Sequence, residues 1–331
     1  MEYKLGKQGL DVSFYQRIPA QNGQPAREID FYRMKQYPID FVIIRAGQGN
    51  HKDPGFDYNW QAAKQAGIPR GSYWFEDKDF SPESQAKMYW DLLKTDPGEG
   101  ICAMDFENGS HTDLNSAYLF LSKFQQLSGL PDNKVAIYTG YPFWKNATTN
   151  AQRAWFSRFP LWLAWYTNNP GEVLVPFPWS LPTIWQNDTP SIGNEVGVQS
   201  KEVDHDYFNA DLDFTKYFNQ LTGGGTMPDV TYTSSIKSTV TLGAIVRATP
   251  NGADTGNRIA ANTTVQITGQ GVPAGGYTWY NIISPTVGWV ADALLNPLVP
   301  VTPPPASTLP DTIYIATKSD MSDKTKYVKG A

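Results

Sequence analysis

Eight short apolar runs between Gly9 and Asp206, most of them followed by a longer polar or amphipathic stretch, limit what this chain can fold into. They are 9–13 (GLDVS), 40–46 (DFVIIRA), 68–75 (IPRGSYWF), 100–107 (GICAMDFE), 134–139 (KVAIYT), 160–166 (PLWLAWY), 183–186 (TIWQ) and 202–206 (EVDHD). Nearly continuous apolar runs, rather than strict alternation, predict strands buried on both faces, as in a parallel sheet. Helices are expected between them. The segment 57–65 closes at Ala66-Gly67, 81–94 opens on Ser81-Pro82-Glu83, and 114–127 carries an apolar stripe that stops at Gly129. Alternating strand and helix predicts an α/β fold, an irregular (β/α) barrel of eight strands with fewer helices, since helices become scarce after Tyr166. An open doubly wound sheet is the alternative, but no Gly-rich dinucleotide loop follows an early strand.

Texture changes along the chain divide it. Residues 1–221 form the expected catalytic barrel, and 222–235 (TGGGTMPDVTYTSS) read as a flexible linker. Thr/Val-rich segments with Gly turns over 236–298 predict a small all-β barrel or sandwich, and 299–331 is a Pro-rich segment with a tail whose one apolar patch is 312–316. The first part is acidic, with 20 basic and 26 acidic residues in 1–221 against 7 and 6 in 222–331. A formal charge of -5 disfavours a nucleic-acid partner. Neither an N-terminal secretion signal nor an apolar run of membrane-spanning length is encoded, so no membrane insertion is expected, and a substrate outside the cytoplasm requires another route of passage. The lone Cys102, inside an apolar run, reads as a buried small hydrophobe.

The chemistry is expected at the C-terminal ends of the barrel strands. Acidic residues recur there: Asp11 in the first run, Asp105 and Glu107 in the fourth, Asp204 and Asp206 in the eighth. The two-residue spacing of Asp105 and Glu107 would send both side chains off one face of a strand, with Phe106 on the other. Paired carboxylates are what glycoside hydrolysis needs, one protonated toward the leaving oxygen and one ionised to support positive charge at the anomeric carbon. Glu107 is the candidate acid, its ionisation opposed by Asp105 and Asp11; Asp105 would stabilise the oxocarbenium ion or orient the substrate. A carboxylate at a strand end also caps helices, which is the plain alternative for any one of them. His51, His111 and His205 lack zinc-site spacing, though carboxylates alone leave an all-oxygen metal site open. Aromatic residues at or near the strand ends, among them Tyr73, Trp74, Tyr138, Tyr141, Trp162, Trp165 and Tyr166, are divided between core packing and a groove for sugar rings.

The segments GLDVSFYQ, FVIIRAGQG, IPRGSYWF, AMDFE, YTGYPFW, LWLAWY, IWQ and EVDHDYF resemble, in order and content, the Chalaropsis-type lysozymes, family 25 of the glycoside hydrolases, which include many phage endolysins. The resemblance covers roughly residues 8–210, and its combination of DVS-x-x-Q, D-x-E and a late VD is more specific than any one of them. It implies an irregular eight-stranded barrel that cleaves the β-1,4 bond from N-acetylmuramic acid to N-acetylglucosamine in bacterial peptidoglycan, without a cofactor. It further implies Glu107 as general acid, Asp105 assisting the substrate's 2-acetamido group, and Asp11 and Asp204 as the remaining catalytic acids. Tyr73, Trp74, Tyr141, Trp165, Gln186 and Asp206 are the expected substrate contacts. Two departures stand out: Trp74 where many relatives have His, and VDHD where VD-x-N is common, which puts Asp206 in place of a neutral amide. Residues 236–298, especially GVPAGGYTWYNI and VGWVADALL, resemble a bacterial SH3-type domain that would bind a cell-wall component. With no signal peptide, this architecture resembles phage lysins made in the host cytoplasm and released through a holin. The alternatives from other classes are a catalytically silent wall-binding protein on the same barrel, which would need a damaged acid set, and a hydrolase of chitin, whose D-x-x-D-x-D-x-E pattern is missing.

Overall fold

The computed structural model describes residues 3–19, 27–108, 114–147, 153–167, 169–188, 190, 192–219, 230–247, 249–300, 312–316 and 324–328. Nine strands come first: β1 (Leu5–Val12), β2 (Phe41–Gln48), β3 (His51–Lys52), β4 (Arg70–Phe75), β5 (Cys102–Asp105), β6 (Val135–Gly140), β7 (Leu161–Ala164), β8 (Ile184–Asp188) and β9 (Asp204–Asn209). Eight of them close a barrel in the order β1-β2-β4-β5-β6-β7-β8-β9, while the two-residue β3 pairs only with β2. The predicted continuous runs are buried on both sides. On β2, Phe41 and Ile43 face the barrel interior with Ala103, Ile184 and Phe208, whereas Val42 and Ile44 face the surrounding helices. Each fully buried side chain of this size stabilises the fold by roughly 1.5–3 kcal/mol relative to an exposed one.

The expected parallel order holds through β8 and fails at the last strand, because β9 runs antiparallel to both β8 and β1. A parallel strand would require a crossover to the far end of the barrel. The described residues between β8 and β9 form only turns, so the chain re-enters from the end it has just left. Asp204, the first residue of β9, thereby lies at the same mouth as the C-terminal ends of the other seven and pairs in register with Asp11.

Helices α1 (Phe31–Lys35), α2 (Phe56–Gln65), α3 (Pro82–Leu93), α4 (Asn115–Ser128) and α5 (Tyr141–Ala147) pack outside. Their ends follow the predicted signals. The Ser81 side chain accepts from the Ser84 amide at 3.3 Å with Pro82 in the first turn, and Gly129 ends α4 at φ 65°. Among the described residues, only short helical turns and the four-residue helix Phe214–Tyr217 occur beyond β7. No described helix is long and apolar enough to cross a membrane.

Two features fix the barrel below its mouth. Gly9 makes room for Phe41, since a Cβ there would lie 2.3 Å from the ring. A Gly9→Ala chain should lose about 1–3 kcal/mol of stability through overpacking, read from the shift in its urea midpoint; an unchanged midpoint would show that the ring can move aside. Arg70, with no exposed side-chain surface, begins β4. It donates to Asp96 at 3.0 Å, to Glu99 at 2.8 Å and to the Trp60 carbonyl at 3.1 Å, and its guanidinium carbon stands 4.4 Å from the Trp60 ring centre.

The second sheet is wholly antiparallel and has its own core of Ile236, Val246, Ile259, Val265, Ile267, Ile282 and Val290. Its strands are β10 (Val230–Ser235), β11 (Ala244–Arg247), β12 (Asp254–Ile259), β13 (Thr264–Ala274), β14 (Tyr277–Ser284), β15 (Gly288–Ala291) and β16 (Val299–Pro300). Gly275 and Gly276, with φ 59° and 82°, make the tight turn between β13 and β14. The expected linker is shorter than its composition suggests. Residues 222–229 lie outside the described residues, but 230–235 form β10, paired with β13 and β16. The Pro-rich 301–311 also lie outside them, while Thr312–Ala316 pairs antiparallel with Lys324–Val328.

Candidate active site

Strand alternation decides which side chains enter the barrel. Above an apolar interior layer that includes Ala136 and Phe208 come Tyr73, Tyr138, Trp162, Gln186 and Asp206; at the rim stand Asp11, Asp105 and Asp204. A pocket of about 260 Å³ opens there, lined by Asp11, Tyr73, Asp105, Glu107, Tyr138, Trp162, Tyr166, Gln186 and Asp204. A larger cleft, about 950 Å³, runs between the α1–α2 flank and the second sheet. It contains none of the rim acids, so the acid chemistry belongs to the smaller pocket.

The segment bearing Asp105 and Glu107 is held from outside. Strand β5 ends at Asp105, one residue before Phe106, so Glu107 lies beyond the strand rather than within it. Phe106 turns outward and packs edge-on to Phe143 and Trp144 at 5.3 and 6.2 Å between ring centres. Its amide donates to the Tyr138 carbonyl and its carbonyl accepts from Thr139 Oγ1 at 2.8 Å, which leaves the flanking carboxylates facing the pocket. Gln186 ties the opposite wall together. Its Nε2 donates to Asp11 Oδ2 at 2.8 Å, and its Oε1 accepts from the hydroxyls of Tyr138 at 2.8 Å and Tyr166 at 3.1 Å.

Every acid in the pocket holds its proton more tightly than an ordinary carboxyl. Burial raises Asp11 well above the usual range, Asp204 and Asp206 raise it further, and the Gln186 hydrogen bond opposes them. Burial also raises Asp105, followed by the charge of Glu107, while Arg45 pulls it back. Glu107 stands in the open mouth, yet its carboxyl is crowded by the pocket walls; that loss of water, and then the Asp204 charge, raises it. Asp204 is thus a charged neighbour that the sequence did not single out for Glu107; of the expected pair, Asp105 interacts with Glu107, while Asp11 responds to Asp204 and Asp206. Asp204 itself is pushed up to about 6 by burial and then by Glu202.

Of the expected contacts, Tyr73 and Gln186 line the pocket. Trp74 does not: with 0% exposure it points outward, donates to Gln85 Oε1 at 3.3 Å and packs against Tyr89. Its neighbour Tyr73 occupies the inner face, and alternation leaves Trp74 the outer one. The expectation that Trp74 touches sugar is corrected accordingly. Asp206 lies one layer below the rim, fully buried, accepting from Trp162 Nε1 at 2.6 Å; it orients the indole instead of lining the pocket. Tyr141 and Trp165 meet edge to face at 5.3 Å outside the lining. Tyr138, Trp162 and Tyr166 line the pocket, although the sequence marks them only as aromatics near strand ends. The available signal is parity, since Tyr138 lies two residues from Ala136 and Trp162 two from Ala164, both on interior-facing positions. Among the described residues, no three His, Cys, Asp or Glu side chains gather as a metal site.

The model of the family "Glycosyl hydrolases family 25" matches residues 11–194, more than half of the 331-residue chain. The chain belongs to that family. As a family 25 glycoside hydrolase it is similar to Lysozyme M1 of Streptomyces globisporus, 29% identical over 224 residues that cover 62% of this chain and 68% of that one. It is also similar to the bacterial lysozyme from Streptomyces coelicolor, at 25% identity and a TM-score of 0.51 over 65% of this chain and 98% of that one. A muramidase from Trichobolus zukalii matches at 28% identity and a TM-score of 0.49, over 64% of this chain and 97% of that one. The family match begins at Asp11 and stops before Asp204, so the acid delivered by the reversed strand lies outside it.

Proposed function

We propose that this family 25 hydrolase cleaves the β-1,4 bond between N-acetylmuramic acid and N-acetylglucosamine in bacterial peptidoglycan, with Glu107 as general acid and Asp105 assisting through the substrate's acetamido group. The observation that carries this reading is the meeting of Glu107 with Asp11, Asp105 and Asp204 in one ring-walled pocket. The names of the similar lysozymes support the substrate class. In the first step the Glu107 proton passes to the bridging oxygen as the C1–O bond breaks, and the acetamido oxygen bonds to C1. Asp105 accepts the acetamido N–H and steadies the positive charge that develops. Water then attacks C1, Glu107 takes its proton, and the acetamido–C1 bond opens. Tyr166, exposed at the mouth, offers a flat ring face of the kind on which sugar rings pack, and Tyr73 and Tyr138 line the pocket beneath it. The reaction draws on no cofactor. On this reading the second sheet is a wall-binding module that raises the local enzyme concentration on an insoluble substrate.

Purified peptidoglycan digested by the enzyme, reduced with borohydride and analysed by mass spectrometry should carry muramitol at its new ends. Glucosaminitol ends, or no new ends, would overturn the assignment.

A further inference from the structure

We propose that the cleft between the α1–α2 flank and the second sheet binds the peptide that branches from the wall glycan, a chain carrying ammonium and carboxylate groups side by side. This site presupposes the peptidoglycan reading above and takes a second part of that substrate.

The two walls of the cleft carry opposite charge. From the barrel come Glu28, Asp30 and Asp57 with the single cation Arg27; from the sheet come Arg247 and Arg258 and no acid. Among the described residues, no hydrogen bond or ion pair joins one wall to the other, so the opposed charges do not close the cleft. Their partners belong to their own side. Glu28 pairs with Arg17 at 3.2 Å, and Arg258 with Asp254 at 2.7 Å. One Asp30 oxygen accepts from the Arg33 amide at 2.9 Å and the other has no described partner. Arg247 is aimed by two contacts: its Nη1 donates to the Gly252 carbonyl at 2.7 Å, and its guanidinium carbon lies 5.6 Å from the Trp279 ring centre. No other described acceptor takes its remaining N–H groups.

The sheet is seated on the barrel through Ile283 of β14, which is 2% exposed and belongs to the barrel's core cluster. The cleft residues Ser284 and Pro285 follow it directly. On the other wall, Gln199 ties the lining to the turn that leaves β1: its amide donates to the Gln16 carbonyl at 2.8 Å and its Nε2 to the Glu28 carbonyl at 3.0 Å. That turn follows Asp11, so the cleft is built on the same loop that leaves the catalytic mouth. A site for a branch of the glycan held in that mouth requires such a position.

A volume of about 950 Å³ is near the top of the range, about 300–1,000 Å³, of sites that enclose small ligands, and leaves room for a few residues rather than a folded partner. Guanidiniums and carboxylates in equal number give the lining no net charge. A polyanion would meet the acidic wall, and a bare glycan would leave the ionised groups without counterparts. A short peptide satisfies both walls, its ammonium toward Asp30 and Asp57 and its carboxylate toward Arg247. Gln61, Gln65 and Asn257 add the amide donors and acceptors with which peptide groups pair.

The test is calorimetric titration of the full chain with the synthetic tetrapeptide N-acetyl-L-Ala-D-isoglutamyl-L-Lys-D-Ala, in which lysine carries the sole ammonium. Saturable one-site binding is expected. Asp57→Asn, whose parent side chain is 76% exposed, should weaken it by about 3–5-fold, and Arg247→Gln by about as much. Acetylating the lysine should erase the difference between parent and Asp57→Asn while keeping that of Arg247→Gln; amidating the carboxyls should do the reverse. A merely structural effect of either substitution would persist with every probe. Arg258→Gln, on the exposed β12, repeats the second measurement should Arg247→Gln fail to fold. No binding, binding that the substitution on either wall leaves unchanged, or binding of a glycerol phosphate oligomer in place of the peptide overturns the proposal. If digested walls carry muramitol ends and the tetrapeptide does not bind, the cleft assignment alone falls; glucosaminitol ends would remove the reading beneath it whatever the titration gives.

Discussion

Glu107→Gln should lower the rate of wall cleavage by about 10²–10⁴-fold while leaving the fold intact, because shape is kept and the transferable proton is lost. The side chain stands exposed at the mouth, so the substitution opens no cavity. Stability should hold or rise slightly. A carboxyl whose proton is held more tightly in the folded chain than in the unfolded one costs folding free energy once the pH climbs through its raised range, and the amide removes that cost. The same sign applies to Asp204, which loses its proton near pH 6 and, once charged, helps Glu107 to keep its own. Turbidity loss of a wall suspension and a thermal melt on one preparation decide the matter. Full lytic activity in a folded variant would remove Glu107 from the reaction.

The second large effect concerns stability. Arg70→Ala should cost about 3–5 kcal/mol, near the lower figure because Asp96 and Glu99 keep 26% and 13% side-chain exposure and regain some water. The loss combines two ion pairs, a hydrogen bond to the Trp60 carbonyl and the contact with the Trp60 ring. Arg70 begins β4, at the end of the barrel opposite the acids. Activity per folded molecule at low temperature should therefore match the parent, and the denaturant midpoint should fall. A drop below about 1 kcal/mol would mean that the cluster is solvated well enough to be dispensable.

The sequence made most of the barrel legible, and the misses share a cause. Helix ends were readable because caps are local: Ser81 with Pro82 and the left-handed Gly129 each act within a turn of the chain. The runs at β2 and β5 were readable because both faces are buried, which leaves an unmistakable apolar stretch. The direction of β9 was not, since it depends on the path of the connection before it rather than on the composition of EVDHD. Trp74 and Asp206 were misplaced for a related reason. Which of two neighbouring residues faces inward depends on strand register, and a one-residue change in register exchanges Tyr73 for Trp74. The strand Val230–Ser235 hid in Thr- and Ser-rich text beside a Gly-rich tract, although it takes an interior place in the second sheet between β13 and β16.

The reversed closing strand bears on when, during synthesis, the pocket can form. Because β9 wedges between β8 and the very first strand, a growing polypeptide cannot seal its barrel until Asn209 has left the ribosome and docked beside Leu5. Until then Asp11 and Asp204 have not met, and Glu107 lacks the Asp204 charge that adds to the effect of burial in raising it. Chains that stop short of β9 accordingly lack the assembled acid set, whereas the pocket can close while the second sheet, which begins at Val230, is still being made.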